Sequence, residues 1–184
     1  MLSSNALSWA SAEAQSLARE VSKISSVSYF DDVQLSDALL AGQAQAACLI
    51  ACSDMGAYLP YVCSDPTVKL HVFQNFGHSC LAGGVFETMA YTAIEHFIVY
   101  GHFDCRYAKD RDAELLEKDP SLREELERYN VLRELRTFAD NATGLPLKNL
   151  KLHGWVHDKR QGHLQIFDPG LCAFVIAKSP QSLS

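Results

Sequence analysis

The chain has 184 residues, 48% of them apolar and 21% charged, which suits one ordinary globular domain with a sizeable core. Its formal net charge of -6, with basic residues scattered through mixed-sign stretches such as "KDRDAELLEKDPSLREELER", counts against a nucleic-acid surface, because phosphate binding needs a basic face. No apolar run approaches the ~20 residues that cross a bilayer, and "MLSSNALSWASAEAQSLARE" lacks a basic segment followed by a long apolar one, so neither a membrane span nor a secretory signal is expected and the cytoplasm is the expected compartment.

Residues 5 to 24 read as a helix, with Ala, Leu, Glu and Gln dominating. The whole chain, 1 to 184, is expected to form a single domain, in which residues 1 to 35 are a helical arm whose apolar face wants a partner chain. "SDALLAGQ", residues 36 to 43, reads as a short helix with Ser36 as N-cap and Gly42 as stop. "AACLIAC", 46 to 52, is apolar without alternation, the pattern of a strand buried on both faces of a parallel sheet. "KLHVFQNF", 69 to 76, is a second strand. "GGVFETMAYTAIEHF", 83 to 97, is expected to be a helix leading into a third strand, "FIVYGH". A charged helical region follows over roughly 110 to 138, broken near Pro120. "NLKLHGWVHD" and "GHLQIFDP" read as two final strands around a turn, "KRQG". Strands alternating with helices predict an α/β domain with a central, mostly parallel sheet flanked by helices.

In such sheets functional groups gather at the carboxyl ends of strands. The first strand ends in "ACSDMG", with Cys52 and Asp54, and the third in "GHFDC", with His102 and Cys105. If these strands are neighbours, two thiolates, an imidazole and a carboxylate meet at one place. Two Cys and one His with an oxygen ligand make a tetrahedral zinc set, and thiolates favour zinc over the oxygen-seeking magnesium and calcium. Each pair alone is a weak signal, since a strand cysteine is usually a small hydrophobe. Their joint placement at two strand ends is what points to a metal. Cys48, Cys63, Cys80 and Cys172 match no ligand position and read as free thiols, although "GHSC", with His78 and Cys80, repeats the look of a ligand pair imperfectly. His71, His96, His153, His157 and His163 lie in segments that read as structural, and Tyr58, Phe73 and Phe76 wall either an apolar pocket or the core.

These motifs resemble those of the β-class carbonic anhydrases. That family carries Cys-x-Asp-x-Arg after its first strand and His-x-x-Cys after its third, and this chain has "CSDMG" and "HFDC" in that order. "VFQNFG" resembles the family's "VVRNAG" strand, and "MAYTAIEHFIVYGHFDC" its helix-strand-ligand segment. "YNVLRELRTF" resembles the helix that follows, and "LHGWVHDKRQGHLQIFD" the late strand pair. The likeness runs over roughly residues 36 to 170.

The resemblance implies the β-carbonic-anhydrase fold and zinc-dependent reversible hydration of CO2 to bicarbonate. Zinc, held by Cys52, His102 and Cys105, would lower the pKa of a water, and Asp54 would orient that water or accept its proton. It also implies assembly into a homodimer or a higher even oligomer through the N-terminal helices and the sheet edge. Four positions depart from the family's pattern. The arginine that pairs with the catalytic aspartate is Gly56 here, the glycine after the second cysteine is Arg106, the strand arginine is Gln74, and a following Asn is His78. With no arginine at position 56, Asp54 is expected to close the site as fourth zinc ligand near neutral pH, unless Arg106 reaches it as a replacement partner; otherwise Arg106 is a surface residue. Two other functions stay open: a zinc-binding homologue without hydratase activity, kept for assembly or regulation, and a hydrolase of a CO2 analogue such as carbonyl sulfide or carbon disulfide.

Overall fold

The computed structural model describes residues 6–24, 46–55, 70–91, 94–142, 145 and 150–176, with Tyr91 by its backbone alone. The expected helix over 36 to 43, and with it Gly56, Tyr58 and Cys63, lies outside these residues. Seven strands form one mixed sheet in the order β1-β7-β6-β5-β4-β2-β3. They are β1 (Ala6–Leu7), β2 (Ala47–Cys52), β3 (Leu70–Asn75), β4 (His96–His102), β5 (Lys151–Asp158), β6 (His163–Asp168) and β7 (Ala173–Ile176). The central pairings β3–β2–β4–β5 are parallel, and β5–β6–β7–β1 continue antiparallel. The α/β sheet flanked by helices is therefore the expected one, with an antiparallel extension on one side.

β2 and β4 are buried at every position, which explains their lack of alternation. Cys48 and Ile50 of β2, with Phe97 and Val99 of β4, face one core. Ala47, Leu49 and Ala51, with Ile98 and Tyr100, face the other. The first face is covered by the helix that we label α5 (Leu126–Asn141), after α1 (Ala12–Ile24), α2 (Val85–Tyr91), α3 (Arg106–Arg111) and α4 (Ala113–Lys118). Val131, Leu135 and Phe138 of α5 are fully buried there, and the Phe138 ring stacks on Phe97. The helix comes this close because two strand positions beneath it lack side chains. A Cβ on Gly101 would lie 2.7 Å from Val131 Cγ2, and one on Gly154 2.9 Å from Val131 Cγ1.

Three sequence expectations are corrected. The N-terminal helix begins at Ala12 rather than residue 5, because Ser11 caps it, its hydroxyl accepting from the Ala14 N–H, while Ala6 and Leu7 pair with β7. Its apolar face does not wait for another chain: Ala14, Ala18 and Val21 are buried within the chain itself, and Tyr129 of α5 donates to Glu13 at 2.7 Å. The helix expected over 83 to 97 ends at Tyr91, because Glu95 already belongs to the sheet ladder, donating to the Ala46 carbonyl and accepting from the Lys151 N–H. The charged region breaks where Pro120 starts a 3-10 turn after α4. No helix among the described residues is long and apolar enough to cross a membrane.

Gly154→Ala should destabilise the protein by about 1–3 kcal/mol, because Val131 and Leu135 must move to admit one methyl group. Gly83→Ala, where an added Cβ meets nothing within 4 Å, is the control. Urea unfolding curves of the two variants check this.

Candidate metal centre

The parallel register of β2 and β4 sets Ala51 opposite Tyr100, so the two strands end side by side. Beyond Cys52 the chain enters a 3-10 turn, Ser53–Met55, which carries Asp54. Beyond His102 it reverses through Asp104, whose φ of 59° is a left-handed conformation that Asp tolerates better than most side chains. That reversal returns Cys105 to the sheet end, where it starts α3. Cys52, Asp54, His102 and Cys105 thus bring one ligand atom each to within 4.8 Å of one another. Cys52, His102 and Cys105 are buried and Asp54 is exposed. Among the described residues this is the one group of three or more such side chains.

The two sulfurs lie 3.7 Å apart. Two thiolates on one tetrahedral zinc, each about 2.3 Å from the metal, would be separated by about 3.8 Å. Main-chain N–H groups already point at both: those of Asp54 and Gly77 at Cys52, and those of Tyr107 and Ala108 at Cys105. A hydrogen bond from the Cys105 thiol pulls the Cys52 thiol down to about 3. The same bond, with burial, pushes Cys105 up. Two thiols in contact do not ionise together without a cation, and a coordinated metal supplies that cation.

His102 is prepared in the same sense. Its Nδ1 is 2.9 Å from the Phe103 carbonyl, which can only accept, so Nδ1 carries the proton. The Nε2 lone pair is then left buried without a protein partner. A ring held by a carbonyl at one nitrogen and open at the other is the usual arrangement of a metal-binding imidazole. The residues present fit zinc.

No protein-family model matches the sequence, and no curated protein does. Solved structures do match. The β-carbonic anhydrase CcaA superposes with a TM-score of 0.57 at 23% identity, over 79% of this chain and 83% of that one. The wild-type β-carbonic anhydrase CafD of Aspergillus fumigatus gives 0.52 at 18% identity over 79% and 96%. One of two tetrameric β-carbonic anhydrases from Sordaria macrospora gives 0.50 at 18% identity over 71% and 84%. The chain has the β-carbonic anhydrase fold.

Within that fold the remaining sequence candidates separate. Arg106 is exposed on the first turn of α3 and forms no ion pair with Asp54. Gln74 is exposed on β3. Phe76, 67% exposed, lies against Tyr107 beside the site, whereas Phe73 packs on the core under α5. His78 and Cys80 form no second metal group. His78 is fully buried with neither ring nitrogen hydrogen-bonded, and burial pushes it down to about 3, so it stays neutral. Burial raises the Cys48 thiol to about 12 and keeps it protonated. Sequence reasoning missed the Gly77 N–H aimed at Cys52 and the turn after β5. There Lys159 donates to the Asp54 carbonyl at 3.4 Å and Arg160 pairs with Asp104 at 2.6 Å. The spacing of these residues from the ligands carried no signal.

Two of the other histidines form a pair at the opposite end of the sheet. His96 Nδ1 and His153 Nε2 are 3.2 Å apart and buried, a contact in which one ring donates and the other, which must be neutral, accepts. Burial, then the charge of Lys151, holds His96 down to about 4, and burial with the His96 neighbour holds His153 well below its usual value. The folded pKa is below the unfolded one, so this contribution to stability is complete above about pH 6.5 and is lost as pH falls toward 4. Unfolding free energies measured between pH 7 and 4 should fall accordingly, and the slope should flatten in His96→Asn.

Proposed function

We propose that this protein is a zinc-dependent carbonic anhydrase whose site closes near neutral pH. The observation that carries the reading is the buried pair of sulfurs 3.7 Å apart facing an imidazole nitrogen that has no protein partner. Cys52, His102 and Cys105 would hold the metal. Zinc bound there supplies Lewis acidity, which brings the pKa of a water toward neutrality so that it can attack CO2.

The chain's own residues set the rest. The backbone N–H groups on the two sulfurs hold their orientation and temper their charge, and the Phe103 carbonyl fixes the His102 ring. Asp54 has two possible tasks, and they exclude each other. Turned away from the metal, its carboxylate accepts a proton from the reacting water and orients it. Turned toward the metal, it takes the fourth position and the site resembles a closed structural one. Its oxygen already lies within 4.8 Å of the other three ligand atoms, and Arg106 does not draw it away, which supports the closed form as the resting one. A zinc site kept for assembly is the same geometry with Asp54 permanently on the metal.

The purified protein should contain about one zinc per chain by elemental analysis, and Cys52→Ser should remove it, since three ligands without a second thiolate no longer complete the set. Stopped-flow CO2 hydration should be weak near pH 7 and rise at higher pH as hydroxide displaces the carboxylate. Zinc-loaded protein that stays inactive at every pH would leave the structural reading in its place.

Assembly belongs to the same proposal. Among the described residues β3 is an edge strand of the sheet, with Val72 39% exposed on it and Phe76 67% exposed just after it, and an exposed edge with apolar side chains is a surface that proteins usually cover. A second copy of the chain is the occupant that the tetrameric Sordaria structure supports. Light scattering at micromolar concentration should give a mass of two chains or an even multiple.

A further inference from the structure

The turn between β5 and β6 is built to be rigid. The Asp158 carboxylate accepts from the N–H groups of Arg160 and Gln161 at 2.9 and 3.0 Å. The Gly162 N–H closes on the Asp158 carbonyl at 2.8 Å, with Gly162 at φ 69°. Three contacts tie this hairpin to the two loops that carry the ligands. The His157 carbonyl accepts from the Phe103 N–H at 3.0 Å, between His102 and Cys105. Arg160 pairs with Asp104 at 2.6 Å in the same loop. Lys159 reaches the other loop, its Nζ donating to the Asp54 carbonyl at 3.4 Å. The stem of Lys159 is half-buried against the turn, which limits where its ammonium can lie.

We propose that Lys159 is the positioning cation of Asp54: held over the Asp54 main chain by the β5–β6 turn, its ammonium takes the carboxylate when it leaves the metal and so opens the fourth coordination position. The inference rests on the zinc reading above. A carboxylate released from a divalent cation is stabilised by a second cation beside it, because a charge-assisted hydrogen bond is roughly twice as strong as a neutral one. An ammonium already bonded to the carbonyl of Asp54 is within reach of a rotation of that residue's own side chain. The hairpin then sets the balance between closed and open forms, and it does so from a part of the chain about a hundred residues away from the ligand loop.

The test uses the full chain loaded with Co(II), whose visible spectrum reports on the metal's ligands, and titrates it with azide, an anion that needs the fourth position. Cobalt stoichiometry is read first. A wild-type protein that takes up no cobalt overturns the zinc reading and this inference with it. With cobalt bound, Lys159→Met should weaken azide at least about tenfold, while Lys159→Arg stays within about threefold of wild type and Arg106→Ala leaves the affinity unchanged. Asp54→Ala removes the competing carboxylate, so adding Lys159→Met to it should cost nothing further. Wild-type azide affinity in Lys159→Met overturns the proposal while leaving the metal site standing. So does an equal loss in the Asp54→Ala background, which would mean that Lys159 attracts the anion by charge alone. Lys159→Gln is the second neutral variant, and circular dichroism confirms the fold of each.

Discussion

Cys52 and Cys105 set two sulfurs 3.7 Å apart where both side chains are fully buried, and two thiolates at that distance repel unless a cation lies between them. Most of the surrounding structure is arranged around that constraint. The backbone N–H groups of Asp54, Gly77, Tyr107 and Ala108 all converge on the two sulfurs. Such donors stabilise a thiolate but cannot carry a full compensating charge. The His102 ring adds a buried nitrogen that makes no hydrogen bond and stands beside the other candidate ligand atoms. Donors to sulfur, an open imidazole nitrogen and a nearby carboxylate are together the description of a divalent metal site of soft character.

The sheet makes this arrangement feasible. Parallel strands β2 and β4 end together, so candidate ligands about fifty residues apart in the chain meet at one end of the sheet. The stretches that carry the ligands are locally constrained. Asp54 sits in a 3-10 turn directly after Cys52, and the other stretch reverses through a left-handed Asp104 that is gripped by Lys109 and Arg160. Behind them α5 lies against Gly101 and Gly154, close enough that a methyl group at either position would collide with Val131. Of the four candidate ligands, Asp54 alone is exposed while the other three are buried, and it is the one that our proposal makes movable.

The likeness to solved β-carbonic anhydrases, at 18% to 23% identity, is a likeness of fold. The departures at Gly56 and Arg106 are where function would diverge within it. An exposed arginine that forms no ion pair with Asp54 does not replace a partner lost elsewhere in the chain. Lys159 on the neighbouring hairpin, whose ammonium donates to the Asp54 main-chain carbonyl, is the cation that we propose for that role.

Cys52, Asp54, His102 and Cys105 were legible in the sequence because ligand chemistry is local: each pair lies within a few residues and directly follows a strand whose apolar run marks its end. The central strands were legible for the same reason, since burial on both faces writes an unbroken apolar run. The N-terminal segment was misjudged because Ala6 and Leu7 have no strand period of their own, and only pairing with β7, far along the chain, makes them a strand. The cover for α1 was likewise invisible, because the sequence shows an apolar face but not whether α5 of the same chain or another chain will meet it. Lys159 carried no mark at all. Its contact with Asp54 spans 105 residues and depends on where a hairpin turn falls relative to a strand end, which is a property of sheet register and not of any sequence window. The residues that could bind a metal were thus determined by the chain's local chemistry, whereas the contact of Lys159 with the Asp54 main chain was decided only when the strands took their places side by side.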